Sequence, residues 1–150
     1  IGCASCHMPT LPLESLMFVE PGPFNTENST TLAESDNTFV VNLEDYVSNL
    51  DKDENGNYLV PIWSDLKRHN MGAKLDNERP LQKGVPTNYW LTKKLWGFYS
   101  EPPFLHHGRA NLLNDVIEMH QGDAKISSDA YFDLNSDEQQ YLIEFLKSFK

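Results

Sequence analysis

Apolar residues fall at helical spacing twice, both in the last third of the chain. Leu113, Val116, Ile117 and His120 occupy positions i, i+3, i+4 and i+7 and so share one face of a helix expected over 111–120. Gln121-Gly122 ends it. Leu142, Phe145, Leu146 and Phe149 form the stripe of a second helix. It starts at Asn135 or Ser136, with Gln139 as the capping-box partner of Ser136. Two runs read as strands, Phe39-Val40-Val41-Asn42-Leu43 and Tyr58-Leu59-Val60-Pro61-Ile62-Trp63. The turn chemistry of 51–57, with Asn55-Gly56, predicts that they pair as a hairpin. Residues 1–7 predict a single helical turn ending near Met8-Pro9, and 8–38 a long loop broken by Pro12, Pro21, Gly22 and Pro23. Residues 64–110 are expected to be mostly irregular.

A long irregular stretch in a small domain usually wraps something. The chain has 150 residues, enough for one domain, 1–150, with a real core. Its formal net charge of −10 disfavours nucleic acid and anionic membranes and suits a basic partner. No apolar run approaches membrane-spanning length, and no signal peptide is visible.

Cys3-Ala4-Ser5-Cys6-His7 changes this picture. It is C-x-x-C-H, the attachment signature of c-type haem. One helical turn separates the thiols, so both can form thioethers with the two vinyl groups of one porphyrin. His7 follows and reaches the iron as proximal ligand. Its Nδ1–H is expected to donate to a nearby backbone carbonyl, such as that of Pro9. The rival readings are weaker. No βαβ pattern surrounds a redox C-x-x-C, and a zinc site lacks a second cysteine pair because the chain has only two cysteines. A disulfide across so short a loop adds little stability. Haem domains of this type carry a helix before the motif, which Ile1-Gly2 cannot supply. The chain therefore reads as a piece of a longer, exported protein, periplasmic or extracellular, since covalent haem attachment takes place outside the bacterial cytoplasmic membrane.

The sixth iron ligand should be His or Met. His69, Met71, His106, His107, Met119 and His120 are the candidates. His120 sits on an apolar helix face, where an unsatisfied imidazole is costly; the alternative is a solvated helix-end histidine. Met71 sits in a loop beside Gly72 and could swing onto the iron; its alternative is a gap-filling core residue. Arg109, after the His106-His107-Gly108 turn, could hold a haem propionate, or be a surface ion pair. Trp96, with Trp63, Trp90, Tyr89, Phe98, Tyr99 and Phe104, offers aromatic surface for a porphyrin or for an ordinary core. Asp51-Lys52-Asp53-Glu54-Asn55-Gly56 matches half a calcium loop, but Ile62 stands where the bidentate Glu belongs, which favours a plain turn.

Several segments occur in order: Ser64-Asp65-Leu66-Lys67-Arg68-His69-Asn70-Met71-Gly72, Leu95-Trp96-Gly97, Pro103-Phe104-Leu105-His106-His107-Gly108-Arg109-Ala110, and Val116-Ile117-Glu118-Met119-His120-Gln121-Gly122. The set resembles the C-terminal haem domain of bacterial di-haem oxidoreductases, within the di-haem cytochrome c peroxidase superfamily. The resemblance implies a mainly α, cytochrome c fold around one covalent haem c, here with long loops and a small β-hairpin insertion. In the peroxidases a Met or Tyr ligates this iron from the helix after the turn, and that position falls on His120. Two departures stand out. The usual His-Asp-Gly-Arg turn is His106-His107-Gly108-Arg109, and there is one C-x-x-C-H where the family carries two haems. The expected function is single-electron transfer through a low-spin iron, with a redox protein or a second haem domain as partner. The alternative is one part of a peroxidase-like oxidoreductase.

Overall fold

The computed structural model describes residues 1–20, 39–76, 84–97, 100, 102–105 and 108–149. Its contacts divide the chain into two units. One is Thr10–Pro61; the other joins Ile1–Pro9 to Ile62–Lys150.

In the first unit, β1 (Leu11–Leu13) pairs antiparallel with β4 (Tyr58–Val60), Leu11 opposite Val60. Likewise β2 (Met17–Glu20) pairs antiparallel with β3 (Phe39–Asn42), Met17 opposite Asn42. The expected hairpin between the two strand-like runs does not form. Each finds its partner in the stretch read as loop, where Leu11, Leu13, Met17 and Phe18 supply the apolar positions. Between β3 and β4 lies α1 (Glu44–Val47), which buries Val47. The 51–57 segment is a tight turn centred on Asp53. Its carboxylate accepts from the backbone N–H groups of Asn55 and Asn57 at 2.9 and 2.8 Å and from Asn57 Nδ2 at 3.0 Å.

In the second unit, β5 (Arg68–Asn70) pairs antiparallel with β6 (Tyr89–Leu91), inside the region expected to be irregular. Three helices follow: α2 (Leu113–Glu118), α3 (Lys125–Phe132) and α4 (Ser136–Lys147). α2 stops short of the expected 120, so His120 lies just past its end, its N–H bonded to Ile117 O at 3.0 Å. α3 has no counterpart in the periodicity. Its inward residues are Ser128 and Tyr131, whose hydroxyls bond Ile117 O at 2.7 Å and Asn114 Oδ1 at 2.8 Å on α2. Meanwhile Ile126 is 83 % exposed, so the apolar pattern carries no helical signal. α4 is capped by Asn135 with Glu138, a complete capping box, rather than by Ser136 with Gln139. Gln139 instead donates to the carbonyls of Tyr131 and Leu134, tying α4 to the end of α3.

The expectation of a mainly α, cytochrome c fold is not met. Among the described residues helix makes up only 35 % and strand 18 %, arranged in several small sheets. The physical reason is local: Phe18, Val40, Val41, Tyr58, Val60, Tyr89 and Trp90 lie in strands that pair along the backbone rather than leaving loops to wrap a core. No helix among the described residues is long and apolar enough to cross a membrane.

Candidate haem site

The motif forms a tight turn. Cys3–Ser5 is a single 3-10 turn, and the His7 N–H reaches back to Cys3 O at 2.9 Å. Gly2 adopts φ 93°, and a Cβ there would lie 2.9 Å from Ser127 Oγ, so the turn rests closely on α3. Both cysteines are free thiols; Cys3 is exposed and Cys6 half-buried.

His7 Nδ1 lies 3.1 Å from the carbonyl oxygen of Trp63. With its proton on Nδ1 the ring is oriented and Nε2 keeps a lone pair for a metal. The acceptor is not Pro9, whose carbonyl receives the Trp63 N–H at 3.3 Å instead. His120 repeats the arrangement, its Nδ1 lying 2.7 Å from Val116 O. Burial holds the pKa of His7 below the usual imidazole value; the Trp63 carbonyl opposes this, and a charge on nearby His120 adds to it. Burial lowers that of His120 as well, against the pull of the Val116 carbonyl. Both shifts favour the neutral ring, the form that ligates iron. Two thiols at C-x-x-C spacing and two imidazoles, each with Nδ1 bonded to a backbone carbonyl, fit a c-type haem.

One loop serves this site. Trp63 and Leu66 both have positive φ, 53° and 56°, which costs about 1–3 kcal/mol for each non-glycine residue. Packing fixes the loop. Trp63 meets Phe149 and Phe145 of the C-terminal segment with ring centroids 4.7 and 5.6 Å apart. Ser64 is fully buried, its hydroxyl donating to Thr92 O at 2.8 Å and accepting from Leu66 N–H at 2.9 Å. Between them Asp65 is 6 % exposed and pairs with His69 Nε2 at 2.7 Å. Burial works against ionising Asp65, but bonds from the Lys67 N–H, His69 and Thr92, with the His69 charge, lower its pKa to about 2. Cys6 Sγ, an Asp65 oxygen and a His69 nitrogen lie within 4.8 Å of one another. The Asp65–His69 hydrogen bond joins two members of that group.

Met71 sits beside the segment that follows His120. A Cβ on Gly72 would come within 2.7 Å of Gln121 Cβ, and one on Gly122 (φ 56°) would strike Asn70 O. Asp123 also accepts from the Asn70 N–H at 2.9 Å. These contacts bring His120 and Met71 into one neighbourhood, while the anchored Nδ1 belongs to His120. Arg109 Nη1 donates to Lys74 O at 3.1 Å. Trp96 is 42 % exposed, with Lys94 Nζ 3.5 Å from its ring centroid. Trp90 Nε1 donates to Leu75 O. His106, His107, Phe98 and Tyr99 lie outside the described residues. Sequence reasoning missed Trp63 as the acceptor for His7 and Asp65 as a partner of the site; neither a backbone carbonyl nor a positive-φ tryptophan leaves a mark in a sequence pattern.

Residues 44–149 match the family model described as "di-haem oxidoreductase, putative peroxidase". The chain belongs to the di-haem oxidoreductase family. Membership implies haem binding. His120 and the Trp63–Leu66 loop lie inside the matched span; Cys3, Cys6 and His7 precede it. No curated protein and no solved structure matches the chain.

Proposed function

We infer that this di-haem oxidoreductase domain carries one covalent haem c, held through Cys3 and Cys6 between His7 and His120, and that it transfers single electrons. The observation that carries the reading is the pair of anchored imidazoles. His7 Nδ1 and His120 Nδ1 are each bonded to a backbone carbonyl, at 3.1 and 2.7 Å, which leaves both Nε2 atoms as donors. The haem, when bound, supplies reversible one-electron chemistry. The chain's own residues do the rest. The Trp63 carbonyl fixes the His7 ring and raises its basicity. Val116 O does the same for His120. His7 and His120 would hold the iron through their Nε2 atoms, and paired imidazoles would favour a lower potential than His with Met.

A second reading follows from the family description. The domain would then feed electrons to, or take them from, a second haem domain that carries peroxidase-like chemistry. With one C-x-x-C-H in 150 residues, that second haem would lie in another domain. A periplasmic or extracellular location accompanies either reading.

The test is the spectrum of the isolated protein. The bis-imidazole reading expects a low-spin iron without added ligands and no sulfur-to-iron charge-transfer band toward the red. Such a band, or a high-spin iron that binds peroxide directly, would contradict it.

A further inference from the structure

The loop that orients His7 also brings a carboxylate to the haem attachment turn. Asp65 lies in the same four-residue segment as Trp63, and its oxygen is within 4.8 Å of Cys6 Sγ, the atom that joins the porphyrin edge under the proposed reading. The carboxylate is almost wholly inside the protein, 6 % exposed, and is fixed on several sides. Lys67 N–H donates to Oδ1 at 2.9 Å and His69 Nε2 contacts Oδ2 at 2.7 Å. Two left-handed residues, Trp63 and Leu66, and the fully buried Ser64 hold the segment in this shape. A strained segment that persists only because its surroundings fix it commonly marks function. An ordinary turn here would not need tryptophan and leucine at positive φ.

We propose that Asp65 is a positioning and tuning residue for the haem, a fixed negative charge at the Cys6 edge that favours the oxidised iron and lowers its reduction potential. The inference rests on haem attachment at Cys3 and Cys6. Its physical basis is Coulombic. Oxidised haem carries one more positive charge than reduced haem, so a nearby anion in a poorly screened position stabilises the oxidised form. Surface carboxylates are screened by water and salt; the Asp65 side chain, 6 % exposed, is screened less. His69 has a different part: it holds the carboxylate in place.

The experiment compares reduction potentials of the haem-loaded protein by optical redox titration. A prior step, a denaturing haem stain, establishes whether haem is covalently attached; its absence from the wild-type protein overturns the attachment reading and this proposal with it. With haem attached, Asp65→Asn keeps the shape and removes the charge. It should favour reduction about tenfold, equivalent to 59 mV for one electron. Asp65→Glu, which retains the charge, should stay within about threefold of wild type. His69→Gln, which can still donate to the carboxylate, should leave the potential unchanged or lower it. An unchanged potential in Asp65→Asn overturns the proposal. So does a rise in His69→Gln, or an equal shift in Asp65→Asn and Asp65→Glu, since either would show that shape and not charge sets the potential. Should Asp65→Asn fail to accumulate with haem, Asp65→Ser is read in its place: a raised potential supports the proposal and an unchanged one overturns it.

Discussion

At the scale of single residues, the site depends on which side chains are anchored and which are free to swing. His120 has its Nδ1 fixed 2.7 Å from Val116 O, whereas the Met71 N–H is bonded to Asn88 O at 2.8 Å. His120→Ala should therefore shift the iron toward high spin and admit cyanide or carbon monoxide, and Met71→Ala should leave the spin state alone; absorption spectra of the two variants check this. Asp65 gives the site a pH dependence whose sign is fixed. Its folded pKa, about 2, lies below the ordinary 3.8, so the stability it contributes is complete above about pH 4 and lost as pH falls toward 2. Thermal midpoints of wild type should fall more steeply over that window than those of Asp65→Asn, and parallel curves would count against the assignment. At this scale the sequence offered its sharpest expectation, because Cys3, Cys6 and His7 stand in an order that few other functions require. His120 was singled out as a histidine on the Leu113/Val116/Ile117 face in need of a partner; the helix ends before it, and its Nδ1 meets Val116 O.

Elements were less legible, for reasons visible in particular residues. The strand-like runs at 39–43 and 58–63 were recognisable, but their partners were not, because strand pairing is a long-range choice and the nearest run is only the default. β1 contains Pro12, a residue that reads as a breaker yet is tolerated in an edge position. α3 was invisible because its contacts with α2 are the Ser128 and Tyr131 hydroxyls. The cap of α4 moved by one residue because Asn135 and Glu138 satisfy the same signature as Ser136 and Gln139. This cap yields a prediction: Asn135→Ala should cost about 1 kcal/mol in denaturant unfolding, and Ser136→Ala much less. The connection between β5 and the segment after His120 yields another. A side chain on Gly122 strikes the Asn70 carbonyl and needs positive φ, so Gly122→Ala should destabilise the fold and loosen His120. Its signature would be a mixed-spin iron in a protein that still carries covalent haem.

The whole molecule divides at Pro9 and Ile62. Where the chain leaves and re-enters the haem-site unit, Trp63 N–H meets Pro9 O at 3.3 Å, so the two ends of that unit are already joined. Replacing 10–61 with a short Gly/Ser linker should thus preserve the haem spectrum, whereas loss of covalent haem in that variant would make the Thr10–Pro61 unit part of the site. The net charge of −10 sets the second expectation at this scale: electron exchange with a basic partner should slow as salt rises. Fold class was the least legible property. A family resemblance carried by short motifs around the site says little about how the intervening segments pair, and here they form small antiparallel sheets. The central claim, a haem joined to this chain at Cys3 and Cys6, is tested most directly by the mass of the denatured polypeptide. The account predicts the sequence mass plus one haem, with the addition surviving acid-acetone extraction and lost when both cysteines are replaced by serine. An unmodified mass in the wild-type protein, or a haem that extracts freely, would contradict it.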